Sequence, residues 1–274
     1  MKLVTLIENR LGNNPNLICE FGFSIFIQDE DISLIFDTGQ SGIFTKNISQ
    51  LSIDPKQIKN IVISHNHFDH GGGLKQYIQS FGNDFSLYLN RTFFDERIAL
   101  SEFYSRILKA DFSQNYLKNS GVRINFINDH IHILSKNITL FTNFKRENNF
   151  ENVNSSYFRR KDNNFISDDM SDEVVLGLNT SRGLFIVCGC SHIGIVNIIE
   201  NIKKWTGIKI VGIIGGLHLS RAKGDRIEKT IDYLKKENIK FLAVSHCTGE
   251  ETISTLKKEG FNIVENSTGS TIFL

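Results

Sequence analysis

Proline is nearly absent from this chain, with two residues against 21 glycines, and tryptophan occurs once. Apolar residues nonetheless make up 40% of its 274 positions. That excludes the low hydrophobicity of a disordered chain and suits one large α/β domain or two smaller ones. The aromatic mass lies mostly in 22 phenylalanines and is core material. An excess of one charge is also lacking, since 31 basic residues face 30 acidic ones for a formal net charge of +1. Such balance argues against a nucleic-acid partner or an anionic membrane surface. No apolar run approaches the roughly 20 residues that cross a bilayer. Residues 1–12 lack the charged-then-apolar layout and the cleavage site of a signal peptide. Cysteine numbers only four, Cys19, Cys188, Cys190 and Cys247, too few and too clustered for a disulfide scaffold. The expectation is a reduced, cytoplasmic protein in which Cys190 and Cys247 stand beside histidines.

Against these absences stands one dense stretch, Ser64-His65-Asn66-His67-Phe68-Asp69-His70-Gly71-Gly72-Gly73. It follows an apolar run over residues 58–63 and puts three imidazoles and a carboxylate into six positions. Zinc and similar borderline metals take such ligands, and few structural reasons gather so many of them at a strand end. The glycines that follow remove Cβ atoms where the chain turns tightly or lets a group approach the backbone.

The first half otherwise reads as strands over 2–8, 21–28, 33–36, 58–63 and 87–89, with a hairpin turn at Asp29-Glu30-Asp31 and a short helix over 43–51. The second hairpin arm ends at Asp37-Thr38-Gly39, where Asp37 is placed for site chemistry, a plain turn role being the alternative. Glu8 and Glu20, also near strand ends, read as surface or turn residues. Leu74, Tyr77, Ile78 and Phe81 recur at helical spacing, which predicts a helix beginning within 71–73 with its free N–H groups near an anion site. Residues 93–109 show helical periodicity with Ile98, Phe103, Ile107 and Leu108 inward. Strand-like pieces follow at 122–127, 131–134 and 138–144. Residues 145–170, rich in Asn, Asp, Arg and Ser, read as an irregular excursion over an active-site edge or a partner surface. Tyr157, Phe158, Arg159 and Arg160 are candidate substrate contacts there, a solvated loop with aromatic anchors being the alternative.

In the second half, strands over 174–179, 183–188, 209–214 and 241–245 alternate with helices over 195–205, 227–237 and 251–258, and strands over 261–264 and 271–274 close the chain. Three of these strands end in histidine-bearing loops, Gly189-Cys190-Ser191-His192, Gly215-Gly216-Leu217-His218 and His246-Cys247-Thr248-Gly249. A lone histidine is ordinarily a core or surface residue. Ligands gathered from the ends of different strands are how an α/β scaffold builds a site. His130 and His132 lie in the irregular middle without that context.

His65-x-His67-x-Asp69-His70 resembles the defining motif of the metallo-beta-lactamase superfamily, and Asp37-Thr38-Gly39 resembles its early strand-end aspartate. Glu20-Phe21-Gly22-Phe23-Ser24, Phe36-Asp37-Thr38-Gly39-Gln40 and the three late histidine loops are similar to the beta-lactamase-superfamily-II metal-dependent hydrolases. That group includes an archaeal dihydropterin–ribofuranosylaminobenzene 5'-phosphate synthase. The resemblance spans essentially the whole chain. It implies an α/β fold, the four-layer αββα sandwich, in a single domain over 1–274. It also implies two divalent metal ions, zinc or else manganese or iron. His65, His67 and His192 would hold one ion, and Asp69, His70 and His246 the other. Asp69 would in addition orient a water, and Asp37 would support a ligand histidine. The family's bridging aspartate is missing, because the matching loop carries Gly215-Gly216-Leu217-His218. His218 either replaces it as a ligand, faces a substrate phosphate or acts as an acid, and Cys190 ranks below it as a soft ligand.

Two such ions clamp the oxygens of a phosphoryl group and acidify water. The expected function is a dinuclear metal-dependent hydrolase of a phosphodiester, a phosphorylated metabolite or a similar ester. One alternative is a synthase-like transferase that releases diphosphate. Another is a non-catalytic metal-binding protein of the same fold, favoured by the missing aspartate and opposed by the intact histidines. The expected partner is a phosphorylated small molecule, with a homo-oligomer left open.

Overall fold

Runs such as Ser33–Phe36 are apolar at nearly every position, and in the computed structural model they are strands buried on both faces. Continuous apolar strands of this kind belong to sheets covered on both sides. The structure describes residues 1–100, 105–152, 156–162, 164–222 and 225–274. Two compact units share the chain. One comprises Met1–Asn128, Asn154–Asp172 and Ser267–Leu274, the other Asp129–Val153 and Glu173–Asn266.

The first unit is built on a seven-stranded sheet in the order Thr271–Phe273, Lys2–Ile7, Ser24–Gln28, Ser33–Phe36, Asn60–Val62, Ser86–Asn90, Arg123–Ile127. Its early members are antiparallel partners, and from Ser33–Phe36 onward the neighbours run parallel. Helices Phe44–Gln50 and Leu74–Phe81 bury Phe44, Ile48, Leu74 and Tyr77 against Leu6, Phe26, Ile35 and Ile61 of the sheet.

The second unit has its own seven-stranded sheet, in the order Asn262–Ile263, Phe241–Val244, Ile210–Gly215, Gly183–Cys188, Val174–Thr180, Ile138–Thr142, Ile131–Ile133. Its first four strands are parallel and the rest antiparallel. Helix Ile195–Thr206 repeats Ile195, Ile198, Ile199 and Ile202 at helical spacing and buries that stripe with Ile186, Ile213 and Leu242. Gly207, at φ 67°, takes the left-handed turn that ends this helix. Ile231 and Leu234 from Arg226–Lys236 and Leu256 from Glu250–Lys258 complete this core. No helix among the described residues is long and apolar enough to cross a membrane.

Two expectations are corrected. Residues 93–109 are not a helix, since Arg97–Leu100 and Ser105–Ile107 are antiparallel strands. Ile98 faces Ile107 across that pair and Ile107 is exposed, while Phe103 lies outside the described residues. Arg97 decides the matter. It is fully buried, with Nε 3.0 Å from Asp168 and Nη2 3.1 Å from Asp172, a long-range pairing that overrides local periodicity.

The 145–170 stretch is not irregular throughout, because Tyr157–Lys161 and Asn164–Ser167 are strands. They extend the Arg97–Leu100 pair into a four-stranded sheet. Asn164–Ser167 is exposed at every position, so there is no buried face to write a two-residue period into the sequence. The helix expected after the histidine cluster is Leu74–Phe81, with Gly73 as its N-cap, and a further short turn, Phe68–Gly71, lies in the motif itself.

Arg97→Met removes the cation and leaves two buried carboxylates without it. A loss of about 3–5 kcal/mol in chemical unfolding is expected for breaking such a pair from one side. Unchanged stability would contradict the role given to Arg97.

Candidate metal centre

In the first unit Phe36 and Val62 are register partners, so Asp37 and the loop after Val62 leave the sheet side by side. Asp37 is buried with φ 62°, a left-handed conformation that costs a non-glycine residue energy. Its carboxylate accepts hydrogen bonds from Ser64 N and Ser64 Oγ, both at 2.7 Å, and from His70 Nδ1 at 2.6 Å. Ser64 Oγ lies 2.8 Å from His65 Nδ1. With Nδ1 of His65 and of His70 each turned to an oxygen, the lone pair that binds metal falls on Nε2.

His65 Nε2 is 3.0 Å from His67 Nδ1, and the His65 and His70 ring centroids are 4.2 Å apart. Asp69 Oδ2 is 3.8 Å from His70 Nε2, and all four side chains are buried. The turn Phe68–Gly71 is held from outside by Thr38, whose N and Oγ1 reach His70 O at 2.6 and 3.0 Å. The glycines that follow let the 38–40 loop come this close. A Cβ at Gly72 would collide with Gln40 O, and one at Gly73 with Thr38 O.

Asn66, between two candidate ligands, is pinned on three sides. Its N donates to Asp172 Oδ2 at 2.7 Å, its Nδ2 to Phe93 O at 2.6 Å, and its Oδ1 accepts from Ala110 N at 2.9 Å. Burial pushes the Asp172 carboxyl up to about 6, against the pull of Arg97.

In the second unit Cys188, Gly215 and Val244 are register partners on adjacent parallel strands. Their following loops therefore start level, and they carry His192, His218 and His246. Each loop holds a non-glycine residue in the left-handed region, Ser191 at φ 56°, His218 at 52° and His246 at 52°. Strained backbone of this kind collects at functional sites. Glu173 fixes the first loop by accepting from His192 N and Ile193 N, both at 2.8 Å. The His192 and His218 rings lie 4.2 Å apart between centroids. His192 and His246 are buried, and His218 is half-buried. Cys190, His218 and Cys247 each offer a donor atom within 4.8 Å of the others. Burial raises the Cys247 thiol, but interactions with Cys190 and His218 and the charge of His246 outweigh it and hold the thiol well below its usual value.

The donor set fits a borderline divalent metal. It offers imidazoles with their tautomers set by oxygen partners, a carboxylate beside them, and sulfur in the second unit. Asp37, His65, His67, Asp69 and His70 are brought together in the first unit, and His192, His218 and His246 share one sheet end in the second. Arg159 and Arg160 are engaged in ion pairs. Arg159 pairs with Asp95 at 3.3 Å and Asp169 at 2.9 Å, and Arg160 with Glu96 at 3.2 Å. Tyr157 meets the His67 ring edge-on at 5.8 Å. Glu20 serves a turn, accepting from Gln40 N and Ser41 N. Sequence reasoning missed Ser64, Asn66, Asp172 and Glu173. The adjacent acids Asp172-Glu173 immediately ahead of the apolar strand Val174–Thr180 were the one available signal.

A model of the metallo-beta-lactamase superfamily matches residues 17–107. The crystal structure of a metal-dependent hydrolase of the beta-lactamase superfamily is 27% identical, with a TM-score of 0.86 over 100% of this chain and 99% of that one. Over 263 residues the chain is 32% identical to the 7,8-dihydropterin-6-methyl-4-(beta-D-ribofuranosyl)-aminobenzene-5'-phosphate synthase of Methanocaldococcus jannaschii, covering 91% of this chain and 88% of that protein. An uncharacterized protein of the same organism is 26% identical over 87% of this chain and 88% of its own length. The chain belongs to the metallo-beta-lactamase superfamily and has its α/β fold.

Asp37→Ala removes the partner that sets the His70 tautomer and seats Ser64. Competition with a chromophoric chelator is expected to read about 10–100-fold weaker metal binding. Native affinity in that variant would contradict the orienting role.

Proposed function

We propose that this chain is a metal-dependent phosphoesterase of small molecules, its two units acting as one metallo-beta-lactamase-like domain. The observation that carries the reading is the buried Asp37–Ser64–His65–His70 network, which orients imidazoles as ligands where the superfamily motif calls for them. On that motif His65, His67 and His192 hold one ion, and Asp69, His70 and His246 hold the second. Divalent ions there supply polarisation of phosphoryl oxygens and acidify water for attack.

The chain's own residues do the rest. Asp69 accepts a proton or a hydrogen bond beside His70, orienting the attacking group. Asp37 holds the His70 ring by its Nδ1 without touching substrate. Glu173 keeps the His192 loop in place through two backbone N–H groups. The balanced net charge suits a compact phosphorylated metabolite better than a polyanion.

A second reading is favoured by the 32% identity to the M. jannaschii synthase. In it an arylamine phosphate, in place of water, displaces diphosphate from a pterin at the same centre. The two readings share the ligands and differ in the nucleophile.

Purified protein loaded with zinc, manganese, iron or magnesium is expected to turn over at least one member of a phosphodiester and phosphomonoester panel. No turnover with any of the four, in protein that retains its metal, would contradict hydrolysis. Diphosphate release on mixing the pterin diphosphate with the ribofuranosylaminobenzene phosphate, with the ester panel inert, would select the synthase reading. Silence in both assays would leave a metal-binding protein without turnover and overturn the proposal.

A further inference from the structure

Three arginines on the small four-stranded sheet are matched by acids, and a fourth is not. Arg97 pairs with Asp168 and Asp172, Arg159 with Asp95 and Asp169, and Arg160 with Glu96. Arg106, on strand Ser105–Ile107, is exposed and meets no carboxylate among the described residues. Its guanidinium lies instead over the Phe68 ring, with Cζ 4.3 Å from the centroid. Phe68 is half-buried and stands in the motif between the candidate ligands His67 and Asp69.

The register of the sheet accounts for this placement. Ala99 is paired with Arg106 on one side and with Tyr157 on the other. Residues paired directly across antiparallel strands share a face, so Tyr157, Ala99 and Arg106 form one row. At one end of the row Tyr157 meets the His67 ring edge-on at 5.8 Å, and at the other Arg106 covers Phe68. The chain just past Ser105–Ile107 is tied to the motif as well, because Phe68 N donates to Leu108 O at 2.7 Å. Buried Arg97 anchors the middle strand of the row through its two carboxylates. The sheet therefore delivers Arg106 to the motif.

A guanidinium lying on an aromatic face keeps its five N–H donors in its own plane, directed away from the ring. Stacking holds the group in place and leaves its fork open for an oxyanion. We propose that Arg106 is a specificity residue of the metal centre. It binds a second anionic group, phosphate or carboxylate, on a substrate whose reacting phosphoryl group is held at the histidine motif. The inference deepens the phosphoesterase reading and rests on it for the metal-held phosphoryl group. The preferred substrate is then a small molecule with two separated oxyanions, and an ester with a neutral tail is a poorer one.

The test titrates the metal-loaded full chain calorimetrically with alkylphosphonates and with matched chains that end in a second phosphonate or in a carboxylate. In the unaltered protein the second group, at either end chemistry, is expected to tighten binding about 10-fold. In Arg106→Ala that gain is expected to disappear. In Arg106→Lys, which keeps the charge without the planar fork, it is expected to survive only in part. Arg160→Ala removes a guanidinium already paired with Glu96 and is expected to keep the full gain. Equal affinity for one-anion and two-anion ligands, or an unchanged gain in Arg106→Ala, would overturn the subsite, while binding of the alkylphosphonates would leave the phosphoesterase reading standing. Equal losses in Arg106→Ala and Arg160→Ala would also overturn it, by tracing the gain to general surface charge. Binding of the two-anion ligands alone, still dependent on Arg106, would keep the subsite and overturn the metal-held phosphoryl group. Binding of neither class would overturn both.

Discussion

The carboxylate of Asp37 is the interaction on which the first half-site depends. It sits at the end of a strand whose neighbour delivers the histidine cluster, and its main chain is drawn into the sheet edge. Its N donates to Val62 O at 2.9 Å, and its O accepts from Ser24 Oγ at 2.8 Å. From that anchor one side chain reaches Ser64 twice and His70 once, and Ser64 passes the constraint to His65. A left-handed aspartate is an unfavourable way to end a strand. What offsets it is three hydrogen bonds to the buried carboxylate, and the result is a fixed arrangement of Ser64, His65 and His70.

The second constraint is the parallel portion of each sheet. Parallel neighbours end level, so the loops after their carboxyl ends gather on one rim, where open α/β sheets place their ligands. In the first unit this aligns Asp37 with the cluster, and in the second it lines up His192, His218 and His246. Small residues at the turns, Gly72, Gly73, Gly215 and Gly216, let backbone pass backbone at distances a side chain forbids. Fixed backbone, buried imidazole and paired carboxylate together are how a metal site becomes selective for geometry rather than for any nearby cation.

Much of this was legible in the sequence because the informative residues are local. The cluster at 65–70 is contiguous, and the later histidines each close a strand that an apolar run announces. Asp37 was legible as a strand-end acid, though its conformation and its grip on Ser64 were not. What escaped was set by distance or by exposure. Asn66 and Asp172 meet across 106 positions, and nothing near either predicts the other. Strands Arg97–Leu100 and Asn164–Ser167 lack a continuous apolar face, so their period was lost and a long-range ion pair fixed them instead. Cys190 and Cys247 looked like two thiols beside two histidines, and only the strand register shows that they share one corner.

Metal content is the measurement that bears most directly on the central proposal, that the motif histidines hold metal ions. Native protein, His65→Ala and His246→Ala would be loaded with zinc, desalted and assayed for bound metal per chain. The account predicts that each variant binds one ion fewer than the native chain, with the remaining metal retained. Native metal content in either variant would contradict it.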